Sequence, residues 1–279
     1  MIKIGYLAGA ALALLGCGAD QGTVTFSTWG EEYIETGIPA SEFADGWSVQ
    51  YSKFLVTLGA VRVADDRDAV GAEMEASRLF NHVSPGVKEV VSFPDLEAKA
   101  WTRVSYQLVA SGAGTELGEG ATDADLALMK QGGYTVYAEG EASRGSEKKT
   151  FKWGFALPTA YTECKGDKDG KETFGVLVTS GGTDQVELTI HGDHLFYDDL
   201  QAANARLRFT ALAAADADAD GEVTLEELAL VKLVSIDPAN GAYGTGAAGD
   251  VNDLGAFVKD LSRTVGHYRG EGECFAGDP

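Results

Sequence analysis

The sequence predicts a mainly β fold, an antiparallel β-sandwich followed by a small α-helical subdomain. Between Thr23 and His191, about seven short segments rich in Val, Thr, Tyr and Phe are separated by turn residues such as Gly-Gly and Asp-Gly. Short strands with frequent turns are typical of an antiparallel sandwich. From Asp198 onward, the apolar residues recur at helical spacing instead. We therefore assign residues 17–192 to the sandwich and residues 193–279 to the helical subdomain.

The predicted strands follow one another through most of the first domain. One helix interrupts them, because Thr122 or Asp123 can cap a helix that continues to Lys130 and Gly132-Gly133 can stop it. The strands themselves are predicted over residues 24–26, 47–63, 98–109, 134–142, 149–157, 173–179 and 183–190.

Three helices are predicted in the C-terminal part. The second of them runs from Thr224 to Leu233, and the third is capped by Asn252 or Asp253 and carries apolar residues at i, i+3 and i+4. The first is indicated by four apolar residues at helical spacing, Leu200, Ala203, Leu207 and Ala211.

The N-terminus has the features of a secretory signal. A positive charge precedes an apolar run over residues 7–15, which is too short to cross a bilayer as a helix. Leu14-Leu15-Gly16-Cys17 resembles the lipobox of bacterial lipoproteins, which implies that residues 1–16 are removed and that Cys17 is acylated. A lipid anchor implies a membrane partner and a place in the cell envelope, and Gly18 after the cysteine favours the outer membrane. An ordinary signal peptide with an incidental cysteine is the alternative.

The chain has three cysteines, Cys17, Cys164 and Cys274. If Cys17 carries lipid, two remain, and an oxidising compartment would pair them. A Cys164–Cys274 disulfide would tie the end of the chain to its middle. Two buried free thiols are the alternative.

Charge excludes one class of partner. The formal net charge is −21 at pH 7, and such a surface repels nucleic acid and attracts cations. The hydrophobic content of 44% is that of a folded globular protein. We therefore expect no nucleic-acid partner, whereas a protein or glycan partner is left open.

The stretch from Asp216 to Glu227 has the spacing of a calcium-ligand loop. Carboxylates stand at its first, third, fifth and twelfth positions, and Gly221 at the sixth allows a sharp turn. This pattern resembles an EF-hand loop. The alternative is an acidic surface turn before a helix. The resemblance implies that calcium is held by Asp216, Asp218, Asp220, the backbone carbonyl of Glu222, and Glu227.

EF-hand loops usually occur in pairs, and one loop is found here. Asp167-Lys168-Asp169-Gly170 resembles a fragment of a second loop, but its lysine and the lack of a twelfth-position Glu indicate a hairpin turn. A single loop predicts a structural clamp and not a switch that exposes a Met-rich groove. We expect an affinity for calcium of about 0.1–1 mM.

The histidines suggest a second kind of metal site. A Cys164–Cys274 disulfide would bring His267 towards His191 and His194, which form an H-x-x-H at the end of a strand. Imidazole binds copper, zinc, nickel and iron, and a neighbouring carboxylate can add an oxygen ligand. Alternatively, these residues are loop and capping residues whose rings are satisfied by nearby backbone. The candidate ligands are His82, His191, His194 and His267, with Asp193, Asp198 or Asp199.

Catalytic motifs are not found. The sequence has no G-x-S-x-G elbow, no H-E-x-x-H and no phosphate-binding Gly-rich loop. Glu31-Glu32 and Glu35, beside Trp29 and Tyr33, resemble the paired carboxylates of a carbohydrate cleft, but solvated acids beside structural aromatic residues are the simpler interpretation. We therefore predict a protein without enzymatic activity.

Residues 29–35, 191–200 and 266–274 resemble segments of predicted lipoproteins from Gram-negative bacteria, which implies a location and a fold but adds no function. The leading hypothesis is a calcium-binding, non-enzymatic lipoprotein of the outer membrane, in which calcium is a structural clamp. The alternative is a periplasmic or surface lipoprotein that binds or acquires copper, zinc or iron through a histidine site.

Overall fold

Most of the chain folds into β-strands, so the prediction of a mainly β fold is confirmed. The computed structural model describes residues 20–168 and 171–279. The predicted signal peptide, residues 1–16, and the predicted acylation site, Cys17, lie outside the described residues. Within the described ranges, no helix has both the length and the apolar character needed to cross a bilayer.

The described residues contain strands of very unequal length and five short α-helices. The helices are α1 Glu32–Glu35, α2 Asp123–Gly132, α3 Thr210–Ala213, α4 Leu225–Leu230 and α5 Leu254–Leu261. The strands are β1 Gln21–Gly30, β2 Ser48–Ala64, β3 Val70–Glu73, β4 Arg78–Asn81, β5 Lys88–Glu97, β6 Ala100–Trp101, β7 Arg103–Leu108, β8 Glu116–Leu117, β9 Val136–Arg144, β10 Glu147–Phe155, β11 Thr159–Lys168, β12 Lys171–Phe174, β13 Val176–Leu177, β14 Thr183–Ile190, β15 Glu222–Val223, β16 Gly266–Tyr268 and β17 Glu273–Gly277.

Two sheets contain most of the strands. One sheet has four strands in the order β16-β14-β1-β5. The other has eleven strands, with the path β12-β11-β7-β2-β9-β10-β15 and with β3, β4, β8 and β17 attached beside it. Most neighbours are antiparallel, as expected, but three pairs are parallel: β1 with β14, β10 with β15 and β4 with β8. Strands β15, β16 and β17, from the C-terminal part of the chain, therefore pair with strands of the N-terminal part.

The two sheets share one hydrophobic core. Phe26 of β1 and Leu188 of β14 are fully buried in the same cluster as Phe54 of β2 and Phe151 of β10. Phe196, which follows β14, packs edge-on against Phe151 with their ring centroids 6.0 Å apart. Because each buried side chain of this size contributes about 1.5–3 kcal/mol, the C-terminal residues are held to the sheets by burial.

Two predicted helices are found where the capping residues place them. The Thr122 hydroxyl accepts a hydrogen bond from the backbone N–H of Asp125, which starts α2, and Gly133 ends this helix in the left-handed conformation at φ 62°. Asp253 caps α5 by accepting from the N–H of Ala256 at 2.9 Å. The exiting helix of the acidic loop, α4, ends at Leu230 and is shorter than predicted.

The helix predicted over Leu200 to Ala211 does not form; only its end is helical, as α3. The Asp198 carboxylate accepts a hydrogen bond from the backbone N–H of Arg206 at 2.8 Å and pairs with the Arg208 guanidinium at 2.7 Å. Asp199 likewise accepts from two backbone N–H groups that follow it. Such hydrogen bonds to Asp side chains hold the backbone in turns. The helical spacing of the apolar residues therefore does not produce a helix in this segment.

The predicted Cys164–Cys274 disulfide is present. It joins β11 to β17, which are antiparallel neighbours, across a sequence separation of 110 residues. The strand before the disulfide is β16, which carries His267. The bridge therefore fastens β17 to β11 within the larger sheet, shortly after the chain leaves β16 of the smaller sheet.

Candidate metal centres

The parallel pairing of β1 with β14 positions the first candidate site. Its register places Gly30 opposite Ile190, so the next residues, Glu31 and His191, leave the sheet at the same edge. The N–H of Glu31 donates to the carbonyl of Ile190 at 3.1 Å. On the other side of β14, β16 places His267 opposite Thr189.

Three histidines converge at this edge. His191 follows β14, His194 lies in the 3₁₀ helix Asp193–Phe196, and His267 lies on β16. One ring nitrogen from each lies within 4.8 Å of the other two. The ring centroids of His191 and His267 are stacked 4.0 Å apart, and the ring of His194 is 5.2 Å and 5.0 Å from them.

Hydrogen bonds determine which ring nitrogen of His194 carries the proton and which has a lone pair free to bind a metal ion. Its Nδ1 lies 2.9 Å from Thr264 Oγ1, and the Thr264 hydroxyl donates its proton to the carbonyl of Leu261. Because a hydroxyl has one proton to donate, Nδ1 of His194 must be the donor to Thr264. The lone pair of His194 is therefore on Nε2.

The proton of His191 is likewise on Nδ1. Its Nδ1 lies 3.0 Å from Glu31 Oε2, and a carboxylate accepts hydrogen bonds, so Nδ1 carries the proton. Its Nε2 is buried and has no hydrogen-bond partner, and neither has the buried Nδ1 of His267. Buried polar atoms are normally paired, and metal coordination is one role that accounts for an exception.

Burial keeps two of the rings neutral. Burial, followed by the neighbouring His267 and His191, lowers the pKa of His194 well below its usual value. Burial and His191 lower the pKa of His267 to about 4. Neutral imidazole is the form that binds metal ions.

Two acidic side chains lie close to the ring of His191. Glu31, His191 and Asp193 form a second group of potential ligands whose atoms lie within 4.8 Å of one another. Asp193 is 6% exposed, its Oδ2 accepts from the hydroxyl of Tyr197 at 3.0 Å, and its Oδ1 has no partner. Burial is the main cause that raises the pKa of Asp193.

A cavity of about 430 Å³ adjoins the three histidines. His194 and His267 line it together with Tyr161, Tyr197 and Arg263. A metal ion held by the three rings could therefore take a further ligand from this side, which is how three-histidine catalytic and transport sites keep an open position.

His82 is not part of this group, so the prediction of four converging histidines is corrected to three. Its Nε2 lies 2.9 Å from Thr28 Oγ1, and the Thr28 hydroxyl donates to the carbonyl of Leu188. Nε2 of His82 is therefore a donor. The ring is fully buried, and burial together with Lys88 lowers its pKa to about 3. Of the three acids proposed beside the histidines, Asp193 lies at the site, whereas Asp198 and Asp199 hold the following turns.

The acidic loop forms a second candidate centre. Carboxylate oxygens of Asp216, Asp218 and Glu227 lie within 4.8 Å of one another. The side chain of Asp216 has no solvent exposure; its Oδ2 accepts from the N–H of Gly221 and pairs with Lys149, whereas its buried Oδ1 has no partner. A buried, unpaired carboxylate oxygen beside two other carboxylates is suited to act as a ligand of a hard cation such as calcium.

The remaining loop residues are placed by backbone hydrogen bonds. Glu227 accepts from the N–H of Thr224 and from the N–H of Ala217, which closes the loop end to end. Asp220 lies outside the group of three and accepts from the N–H of Glu222 at 2.7 Å. The Glu222 side chain pairs with Lys152.

A strand of the large sheet takes the place of a sister loop. Val223, at the position that pairs two EF-hand loops, is buried and lies opposite Phe151 in the parallel β10–β15 pair. The indole N–H of Trp153 donates to the carbonyl of Val223 at 2.8 Å. The loop is therefore docked on the sheet, as a structural clamp requires.

Comparisons with known proteins add little to this geometry. No protein-family model and no curated protein matches the chain. Among solved structures, the chain is similar to MbnP from Methylosinus trichosporium, with 12% identity, a TM-score of 0.34, and coverage of 62% of this chain and 76% of that one. At that identity and TM-score the likeness carries no argument about the site.

Sequence reasoning missed Glu31 as a residue of the histidine site. The sequence places Glu31 beside Glu32 and Glu35, as in a carbohydrate cleft, but in the described part of the chain these three do not form one group of potential ligands. The signal that could have found Glu31 is the parallel β1–β14 pair, which no local pattern in the sequence indicates.

We expect His194 and His82 to be opposite tautomers in the metal-free protein. At neutral pH the lowered pKa values keep both rings neutral, and the hydrogen bonds place the proton on Nδ1 of His194 and on Nε2 of His82. Two-bond ¹H–¹⁵N correlation spectra distinguish the two forms. Thr264→Val, which removes the acceptor of His194, should change the His194 pattern and leave His82 unchanged. The same tautomer in both wild-type rings would contradict this geometry.

Proposed function

We propose that the protein binds a transition metal ion, copper, zinc or iron, through His191, His194 and His267. One observation carries the proposal: three rings from two distant segments of the chain converge, and two of their buried nitrogens have no hydrogen-bond partner. Three imidazoles are a common ligand set for zinc and copper.

The chemistry of the ligands favours late first-row metals. Imidazole nitrogen is a ligand of intermediate softness, and affinity along the first row rises to copper. Hard cations such as calcium and magnesium prefer oxygen ligands and would be held poorly by three rings. The net charge of −21 raises the local concentration of any cation near the surface.

Calcium is the second candidate ligand, and its role would be to stabilise the fold. The supporting observation is the buried Oδ1 of Asp216, which has no hydrogen-bond partner. Carboxylate oxygens of Asp216, Asp218 and Glu227 lie within 4.8 Å of one another. Because the loop is docked on β10, calcium there would clamp residues 216–227 to the sheet. The two metal sites use different ligand types and are compatible in one protein.

The proposed role is that of a binding protein of the cell envelope and not of an enzyme. The motivation is the lipobox ending at Cys17, the disulfide, and the lack of a catalytic motif in the sequence. A lipid anchor would hold the metal site at the membrane, where it can take up or hand over an ion.

We expect the purified mature protein to bind one equivalent of copper(II) or zinc(II) at the histidine site. Removal of a ligand in His191→Ala, His194→Ala or His267→Ala should lower the affinity by more than the about 10–100-fold that outer-shell changes cause. Competition with a chelator of known affinity, together with elemental analysis, measures this.

His82→Gln is the matched control, because it replaces the one histidine that lies elsewhere. Its affinity should equal that of the wild type. Failure of the wild type to retain stoichiometric metal, or equal loss of metal in His82→Gln and His194→Ala, would refute the proposed function.

We expect calcium to stabilise the fold. With a dissociation constant of about 0.1–1 mM, 10 mM calcium should raise the free energy of unfolding by roughly 1.4–2.7 kcal/mol. Urea denaturation with calcium and with magnesium measures the effect. Asp218→Asn and Glu227→Gln should abolish it, whereas Glu226→Gln, the exposed neighbour with the same charge, should retain it. Equal stabilisation of all variants would show that calcium acts elsewhere.

We expect Cys17→Ala to release the protein from the membrane fraction of a Gram-negative host. The substitution removes the thiol that carries the lipid, so the precursor should stay unprocessed. Cell fractionation and mass spectrometry of the intact chain measure both effects. Lipid-free, normally cleaved wild-type protein would favour an ordinary signal peptide.

A further inference from the structure

We propose that Glu31 makes the three-histidine site selective for divalent over monovalent metal ions, by placing a carboxylate charge beside Nδ1 of His191. Glu31 is a positioning and specificity residue in this proposal and does not contact the metal ion. The inference rests on the proposed transition-metal function and goes beyond it, because it states which charge of ion the site prefers.

Glu31 is held against Nδ1 of the His191 ring. Its Oε2 contacts Nδ1 of His191 at 3.0 Å, and Nε2 of the same ring is buried and has no hydrogen-bond partner. The backbone is fixed on both sides. Glu31 N–H bonds to Ile190, and a Cβ on the preceding Gly30 would lie 2.5 Å from the carbonyl oxygen of His82. A carboxylate fixed in this way orients the ring and raises its basicity as a ligand.

The charge of Glu31 is not neutralised by a basic side chain. Among the described residues, its ion-pair partner is His191 alone, and no Lys or Arg lies within salt-bridge distance. The neighbouring Asp193 adds a second carboxyl group whose Oδ1 is buried and unpaired. The Glu31 carboxylate, with no cationic side chain beside it, adjoins a ring of the candidate metal site and adds negative potential there.

This potential acts in proportion to the charge of the ion. Coulomb energy is the product of the two charges, so a carboxylate across one imidazole ring stabilises a divalent ion twice as much as a monovalent one at the same place. The half-buried site screens this less than bulk water does. Removing the charge should therefore reduce affinity for a divalent ion by the square of the reduction for a monovalent ion.

Zinc(II) and copper(I) are the probes, because both are d¹⁰ ions without a ligand-field preference and they differ in charge. Glu31→Gln keeps a hydrogen-bond acceptor for Nδ1 of His191 and removes the charge. It should weaken zinc(II) binding by about 10–100-fold and copper(I) binding by about 3–10-fold, measured by chelator competition in the mature protein. Glu32→Gln removes the same charge from the exposed neighbouring position and should change neither value.

One further variant distinguishes the effect of the Glu31 charge from the effect of ring orientation. Glu31→Ala also removes the hydrogen bond, so both ions should bind more weakly than in Glu31→Gln. Circular dichroism and thermal unfolding of each variant verify that the fold is retained.

The outcomes separate this inference from the function on which it rests. If the wild type binds neither ion, the proposed function fails. If it binds both and Glu31→Gln loses equal affinity for each, or none, the charge of Glu31 does not set selectivity. A second zinc equivalent in the wild type that Glu31→Gln lacks would also overturn the inference, because Glu31 would then be a direct ligand.

Discussion

The parallel pairing of β1 with β14 is the constraint on which the histidine site depends. Its register brings Glu31 beside His191, although the two segments are distant in sequence. Closing so long a loop costs chain entropy, and the burial of Phe26 and Leu188 on these two strands offsets that cost. Strand β16 then adds His267 on the other side of β14. Because side chains alternate along a strand, a slip of one residue would turn this ring to the opposite face.

Both candidate metal centres leave buried polar atoms without partners. At the histidine site these atoms are His191 Nε2, His267 Nδ1 and Asp193 Oδ1, and in the acidic loop the atom is Asp216 Oδ1. Each such group costs about 1–3 kcal/mol when nothing binds it. The surrounding core and the disulfide hold these groups in place against that cost. The same preorganisation lowers the reorganisation needed when an ion binds.

The two centres differ in how far they could be predicted. The acidic loop is local: Gly221 at φ 90° and the spacing of its carboxylates follow from twelve consecutive residues. Its partner strand β10 was not predictable, because the pattern of an EF-hand leads one to expect a second loop. The helix expected over residues 200–211 was wrong, because the carboxylates of Asp198 and Asp199 bond to the backbone and compete with helical hydrogen bonds.

The sequence by itself determined the mainly β fold, the capped helices α2 and α5, the pairing of Cys164 with Cys274 and the ligand spacing of the acidic loop. Each of these features follows from a local or countable property of the sequence, so it can be recognised without coordinates. The properties are the alternation of apolar residues, the helix-capping residues, the number of cysteines and the spacing of carboxylates in the acidic loop. Only the tertiary structure decided that His191, His194 and His267 converge and that His82 lies elsewhere. It also decided that the Glu31 carboxylate lies beside Nδ1 of His191. These facts depend on the register between distant strands, which is set by the packing of both sheets on one core and has no local signature.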